Sequence, residues 1–341
     1  GCVYLAYDSR LTRQVAIKVS HFGEHMSGAL RERFIREAHA AARLAHQNVV
    51  CLHEYGEDLG VLYLVYEMCQ GPTLAEWMAA QSEPVSIDLA AGIVRDIANG
   101  LSHAHLRGLV HRDVKPNNVL LAPNHDASSS LPFIPRITDF GLAHDSLSLE
   151  QKSITARLVG TVDFMSPEQA RGDLRSVTPA SDQYSVGVIL YQLLTGKLPF
   201  ENTDFVEHLQ RICREQPRSP RSLRSVVPCD LAAITLTCLN KSPEGRYASC
   251  RDLARDLDRF LRRAPVHARP LRAYQHAWRT ICASPIVSSL VGLIILGCLF
   301  SALVFSQMAS DLKIHQRELQ RSLKDLTASE SIAVQARHET E

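Results

Sequence analysis

The stretch His111-Arg112-Asp113-Val114-Lys115-Pro116-Asn117-Asn118 packs a candidate base, a cation and an amide oxygen into one short run. A second acid follows in Asp139-Phe140-Gly141. A lysine, Lys18, stands far upstream in the apolar run Val15-Ala16-Ile17-Lys18. Asp113 can accept a proton. Lys115 can neutralise charge on a travelling anion. Asn118 and Asp139 offer the oxygens that a hard cation such as Mg2+ favours. Either short motif alone recurs by chance; the ordered set is what is specific.

These groups need elements to hold them. Val15 to Val19 reads as a short strand, and a lysine among strand-core residues is costly unless its ammonium reaches a partner. Residues 30 to 45 repeat Leu30, Phe34, Ala38, Ala41 and Leu44 at helical spacing, and Glu37 rides on that helix. Residues 48–51 and 61–66 read as two strands around the turn Glu57-Asp58-Leu59-Gly60. Residues 73–80 and 87–108 read as helices; the second carries Leu89, Ile93, Ile97 and Leu101 on one face. The polar run 123–130 is simplest as a solvent loop. An apolar helix runs through Leu194, and Leu253, Leu257, Phe260 and Leu261 mark a last amphipathic one.

A chain of 341 residues is long enough for more than one folding unit. Its formal net charge of +1 gives no field for nucleic acid. The nine cysteines are scattered singly, with no zinc spacing, and suit a reducing compartment. The opening residues do not read as a signal peptide. Near the other end, Arg262, Arg263, Arg269, Arg272 and Arg279 form a basic stretch without acids. Ile286 to Phe305 then carries no charge, and at about 1.5 Å per residue would span about 30 Å, the hydrocarbon thickness of a bilayer. Lys and Arg are similar in number on either side of it, so charge does not orient it. Beyond it, Leu312, Leu319 and Leu326 recur every seven residues, the pattern of a short coiled coil.

Together, the motifs resemble those of bacterial Hanks-type (eukaryotic-like) serine/threonine protein kinases. The resemblance covers about three quarters of the chain. It implies an α+β, bilobal kinase-like fold over residues 1–263, with a small β-rich N-lobe (1–68) and a large helical C-lobe (72–263). A basic linker (264–285), a single transmembrane helix (286–305) and a helical, coiled-coil-like segment (306–341) would follow. It implies ATP and Mg2+ as cofactors. Asp113 would be the base, Lys115 the phosphate-neutralising cation, and Lys18 the phosphate ligand, ion-paired with Glu37. Asn118 and Asp139 would hold the metal. Gly1, Val3, Ala16, Lys18, Glu67, Cys69 and Leu120 would line the nucleotide pocket, with Tyr66 at its back and the hinge at Glu67-Met68-Cys69-Gln70-Gly71.

Further implied roles are structural or regulatory. Ser153 and Thr155 lie in an activation segment over 142–165, where a phosphate could pair with Arg112. Asp182 would brace the catalytic loop, and Arg246 would pair with Glu168. Ser166-Pro167-Glu168 and Phe164 depart mildly from the family's usual Ala and Tyr. The implied partners are proteins with Ser/Thr acceptors and the lipid bilayer. The heptad leucines admit a homodimer without requiring one. A kinase needs ATP, which expects residues 1–285 on the cytoplasmic side. Two other readings compete: a pseudokinase interaction module, and a kinase of small molecules. The first is opposed by the complete set of chemical residues. The second is opposed by the Gly160-Thr161 and Ser166-Pro167-Glu168 segment, which resembles a peptide platform.

Overall fold

The computed structural model describes residues 2–19, 28–124, 126, 131–140, 162–200 and 204–268, and the isolated positions 297, 300, 301, 305, 307 and 308. Four antiparallel strands form the N-terminal sheet: β1 (Cys2–Asp8), β2 (Arg13–Val19), β3 (Leu52–Asp58) and β4 (Val61–Glu67), in the order β1-β2-β4-β3. The register sets Lys18 opposite Val3 on one side and Leu64 on the other, and Ala16 opposite Tyr66. Helix α1 (Gly28–Ala41) turns Phe34, Ala38 and Ala41 into the core.

One expected strand is placed differently. Residues 48–51 precede the strand that pairs with β4, which is β3 and starts at Leu52; of them, Cys51 O bonds β4, accepting from Glu67 N. The segment instead lies along β6 (Phe133–Ile137). Val50 N donates to Ile137 O at 2.8 Å, and Ile137 N to Asn48 O at 2.9 Å. The buried Asn48 amide donates to Pro135 O at 2.9 Å. An asparagine that satisfies its side chain across the lobes cannot also continue a hairpin strand.

The C-terminal lobe is helical. Helix α2 (Leu74–Ala79) opens with a capping box between Thr73 and Glu76. Helix α3 (Ile87–His105) is fully buried along Ile93, Val94, Ile97 and Leu101. A two-stranded ribbon, β5 (Val119–Pro123) with β6, sits below the N-terminal sheet. Then come α4 (Pro167–Ala170), α5 (Pro179–Thr195), α6 (Phe205–Arg214), α7 (Pro220–Leu223), α8 (Cys229–Cys238) and α9 (Cys250–Leu261). Buried along most of its length, α5 serves as the lobe's axis; α3 packs against it and against α9.

The compact unit extends to Pro270. Past α9, Val266 enters the core at 5% exposure. Asp256, fully buried, accepts from His267 N at 2.6 Å, Ala268 N at 2.9 Å and the Tyr247 hydroxyl at 2.9 Å. Residues from Leu271 belong to a second unit, in which the described positions 297, 300, 301, 305, 307 and 308 are helical. Among the described residues no helix is long and apolar enough to cross a membrane. The candidate span 286–305 and the heptad region lie largely outside them, as do Gly1, His125 and the segment 141–161 with Ser153, Thr155 and Thr161.

Candidate active site

The catalytic loop is built around one buried carboxylate. Asp182, in the first turn of α5, accepts from His111 N at 2.9 Å and Arg112 N at 2.8 Å, and bonds His105 Nε2 at 2.7 Å. Burial alone would raise this acid; the His105 contact and the other hydrogen bonds outweigh it and hold it below its ordinary value. The bracing matters because Arg112 sits at φ 68°, a left-handed backbone that side-chain-bearing residues rarely adopt. Two backbone N–H groups bonded to a carboxylate offset that strain. Gln169 of α4 adds a third tie, its amide donating to Arg112 O at 2.6 Å.

From this frame the chemical residues project together. Lys115 Nζ is 2.8 Å from Asp113 Oδ2. Asn118, in the 3-10 turn Pro116–Asn118, donates its Nδ2 to Asp113 O at 2.8 Å and to Asp113 Oδ2 at 3.1 Å. That leaves the amide oxygen as the atom a hard cation would use. Thr138 N donates to Asn118 O at 3.0 Å, setting Asp139 next to the loop. Asp139 is also left-handed, at φ 66°. The histidine of the loop supports this turn: His111 Nε2 donates to Thr138 O at 2.9 Å, its Nδ1 accepts from Asp113 N at 3.2 Å, and its ring lies 4.7 Å from that of Phe140.

Lys18 enters the crevice from β2, and its Nζ is 2.7 Å from Asp139 Oδ2. This corrects the expected pairing. Lys18 does not take Glu37; the described partner of its ammonium is Asp139. Glu37 instead stands 3.6 Å from Arg112 of the loop below. The reason is local: a flexible ammonium settles on the carboxylate it can reach at hydrogen-bond distance, and Asp139 is brought there by its own turn. The structure thus gathers Lys18, Asp113, Lys115, Asn118 and Asp139, and sets Glu37 on the arginine beside them.

The remaining pocket residues flank this group. Ala16 and Leu120 pack partly buried against the core from the two lobes, and Tyr66 is buried across from Ala16. Burial, and then the nearby Asp139 charge, push the Tyr66 phenol well above its ordinary value, so it stays neutral. Cys69 is half-buried, and burial raises its thiol. Val3 on β1 is 64% exposed. After the hinge, Gly71 adopts φ 136°, where a Cβ would strike the Leu121 carbonyl.

The platform near the loop is likewise tied. Arg246 donates to Glu168 Oε1 at 2.8 Å and Oε2 at 2.9 Å, with both side chains essentially buried. Sequence reasoning missed three contributors: Gln169, His105 and Arg136. Arg136 donates to Glu67 of the hinge at 2.8 Å and 2.6 Å. No motif marks it, because its partner lies far away in sequence.

A sheet lobe and a helical lobe, with two lysines, two acids and an asparagine drawn together between them, define the bilobal protein-kinase class. The model of the protein kinase domain matches residues 1–256, and the chain belongs to that family. Among curated relatives, the serine/threonine-protein kinase PrkC of Bacillus subtilis is 35% identical over 255 residues, 75% of this chain and 38% of its own. The serine/threonine-protein kinase PknB of Mycobacterium leprae is 37% identical over 273 residues, 78% of this chain and 42% of its own. The chain therefore spans about two fifths of these relatives. Among solved structures, the PknI kinase domain of Mycobacterium tuberculosis matches with a TM-score of 0.58 at 27% identity, covering 75% of this chain and 89% of that one.

Proposed function

We propose that this chain is the catalytic part of a membrane-anchored bacterial serine/threonine protein kinase, which moves the γ-phosphate of ATP to Ser or Thr hydroxyls of proteins with Mg2+. The observation that carries the reading is the convergence of Lys115 and the Asn118 amide on the Asp113 carboxylate, with Asp139 following Thr138, whose N–H bonds Asn118 O. A base held by a cation, beside two oxygen donors, suits transfer of an anionic group. The relatives bearing serine/threonine-kinase names support it further.

Asp113 orients the acceptor hydroxyl and takes its proton. Lys115 neutralises charge between acceptor and donor. Lys18 contacts the nucleotide phosphates, and the backbone of 67–71 meets the adenine. The donor set fits Mg2+, since Asn118 and Asp139 offer only hard oxygens; when bound, the metal supplies charge neutralisation at the phosphates. Residues 286–305 form the membrane span, with the kinase domain on the cytoplasmic side. The exposure of Phe300 and Phe305, at 70% and 76%, favours an apolar environment for that stretch.

The test is direct. Purified protein should transfer radiolabelled γ-phosphate to Ser/Thr peptides in preference to a panel of small-molecule acceptors, and Asp139→Ala should abolish transfer. Unchanged activity in that variant would sink the metal assignment; transfer to small molecules alone would sink the protein-kinase reading. Deleting residues 286–305 should move the expressed protein from the membrane to the soluble fraction. A deletion variant still in the membrane fraction removes the anchor from the proposal.

A further inference from the structure

The Glu67–Arg136 pair joins the two ends of the nucleotide crevice. Glu67 closes β4 and begins the connection to the second lobe. Arg136 lies on β6, the strand that leads through Thr138 into Asp139. The guanidinium donates to both carboxylate oxygens, at 2.8 Å and 2.6 Å, a bidentate fork with fixed geometry. It also donates to Val49 O at 3.1 Å. The segment around Val49 is in turn bonded to Ile137 by two backbone hydrogen bonds, and Glu67 N to Cys51 O at 2.9 Å. Three stretches far apart in sequence therefore meet at one side chain, which is only 17% exposed.

We infer that Arg136 is a positioning residue for the nucleotide: it fixes the hinge relative to the strand that leads into Asp139. The inference rests on the kinase reading for what occupies the crevice. One end of the ligand would be held by backbone groups of 67–71, the other by Lys18 and Asp139. Only if the spacing between those ends is preset does the site bind both at once without a cost in ordering. The backbone bonds hold Glu67 against Val15 and Cys51 on its own side of the crevice; the fork is the side-chain tie that carries this anchoring across to β6. The interaction also marks the carboxylate itself, since the Arg136 hydrogen bonds hold Glu67 below its ordinary value.

Arg136→Gln and Glu67→Gln keep side-chain bulk and remove the ion pair. Each should weaken binding of a fluorescent ATP analogue with Mg2+ roughly tenfold, the scale of charged hydrogen bonds, and raise KM for ATP in step. At saturating ATP, kcat of Arg136→Gln should stay within about twofold of the parent, because the guanidinium touches no reacting atom. The double variant should lose no more than either single, since both remove the same interaction. The inference is overturned if the singles bind the analogue as the parent does, if their losses multiply in the double variant, or if only the melting temperature moves. A parent that binds the analogue but transfers no phosphate defeats the kinase reading and leaves the positioning role to stand on the binding data. A parent that binds no nucleotide defeats both.

Discussion

Lys18 and Asp139 hold one another at 2.7 Å, each side chain a little over one-fifth exposed. An ammonium at that distance competes with any cation for the same carboxylate oxygen. Lys18→Met should therefore tighten Mg2+ binding in the absence of nucleotide, while removing phosphoryl transfer. Partly exposed pairs contribute about 1 kcal/mol or less, so the expected gain is up to about fivefold, readable by titration calorimetry with the metal alone. A weaker or unchanged affinity would mean the lysine does not restrain Asp139. The left-handed backbone at Arg112 and Asp139 belongs to the same scale. Both strained positions lie in the loop and turn that meet in the crevice, and both are fixed by hydrogen bonds from neighbours that do no chemistry themselves, Asp182 and His111.

At the scale of elements, the β3–β4 hairpin holds a mismatch between residue and turn. Asp58 pairs with Val61, so Leu59 and Gly60 make a two-residue turn, with φ 47° and 74°. A turn with both central residues at positive φ is the type I′ form, which favours Asn-Gly. Leu59 is 88% exposed and gains nothing from burial there. Leu59→Asn should raise stability by about 0.5–1 kcal/mol, from the lower strain of asparagine in this region. Thermal melting would register the gain, and a drop would mean the leucine has a contact that outweighs its backbone. Among the helices, α2 and α4 match residue to position: Thr73 and Ser166 cap them through side chains at capping-box spacing.

Across the whole molecule, the Glu168–Arg246 pair is the buried ion pair that links the platform beside the catalytic loop to the segment before α9. Burial works against the Glu168 carboxylate, and the Arg246 hydrogen bonds and charge more than reverse it, so its value lies below the usual 4.5. A carboxyl lowered on folding contributes stability that is present above its unfolded value, about 4.3, and is lost as pH falls through the lower folded value. The melting temperature should fall as pH drops below about 4.3, and Glu168→Gln should flatten that fall. Arg246→Met leaves the acid buried without its partner and should cost about 3–5 kcal/mol. A variant as stable as its parent would show that water reaches Glu168.

Much of this was legible because it is local. The catalytic motifs and the helix periodicities depend on residues a few positions apart. Family resemblance also anticipated Asp182 on the loop and Arg246 on Glu168, since those roles travel with motifs. What stayed hidden depends on tertiary distance alone. The fork from Arg136 to Glu67, the preference of Lys18 for Asp139 over Glu37, and the docking of residues 48–51 on β6 each arise where separate segments meet. Nor does composition reveal that Val266 is buried or that Asp256 grips the chain behind it, because a basic, proline-bearing stretch reads as solvated.

That grip has a mechanical consequence. With His267 and Ala268 fastened to Asp256, the chain is anchored to the kinase domain as far as Ala268, not only to the end of α9. If 286–305 is fixed in a bilayer, the stretch 269–285 at about 3.3–3.6 Å per residue can pay out no more than about 60 Å. The domain would then patrol a thin shell beneath the lipid, and proteins recruited to that shell would be phosphorylated ahead of those free in the bulk.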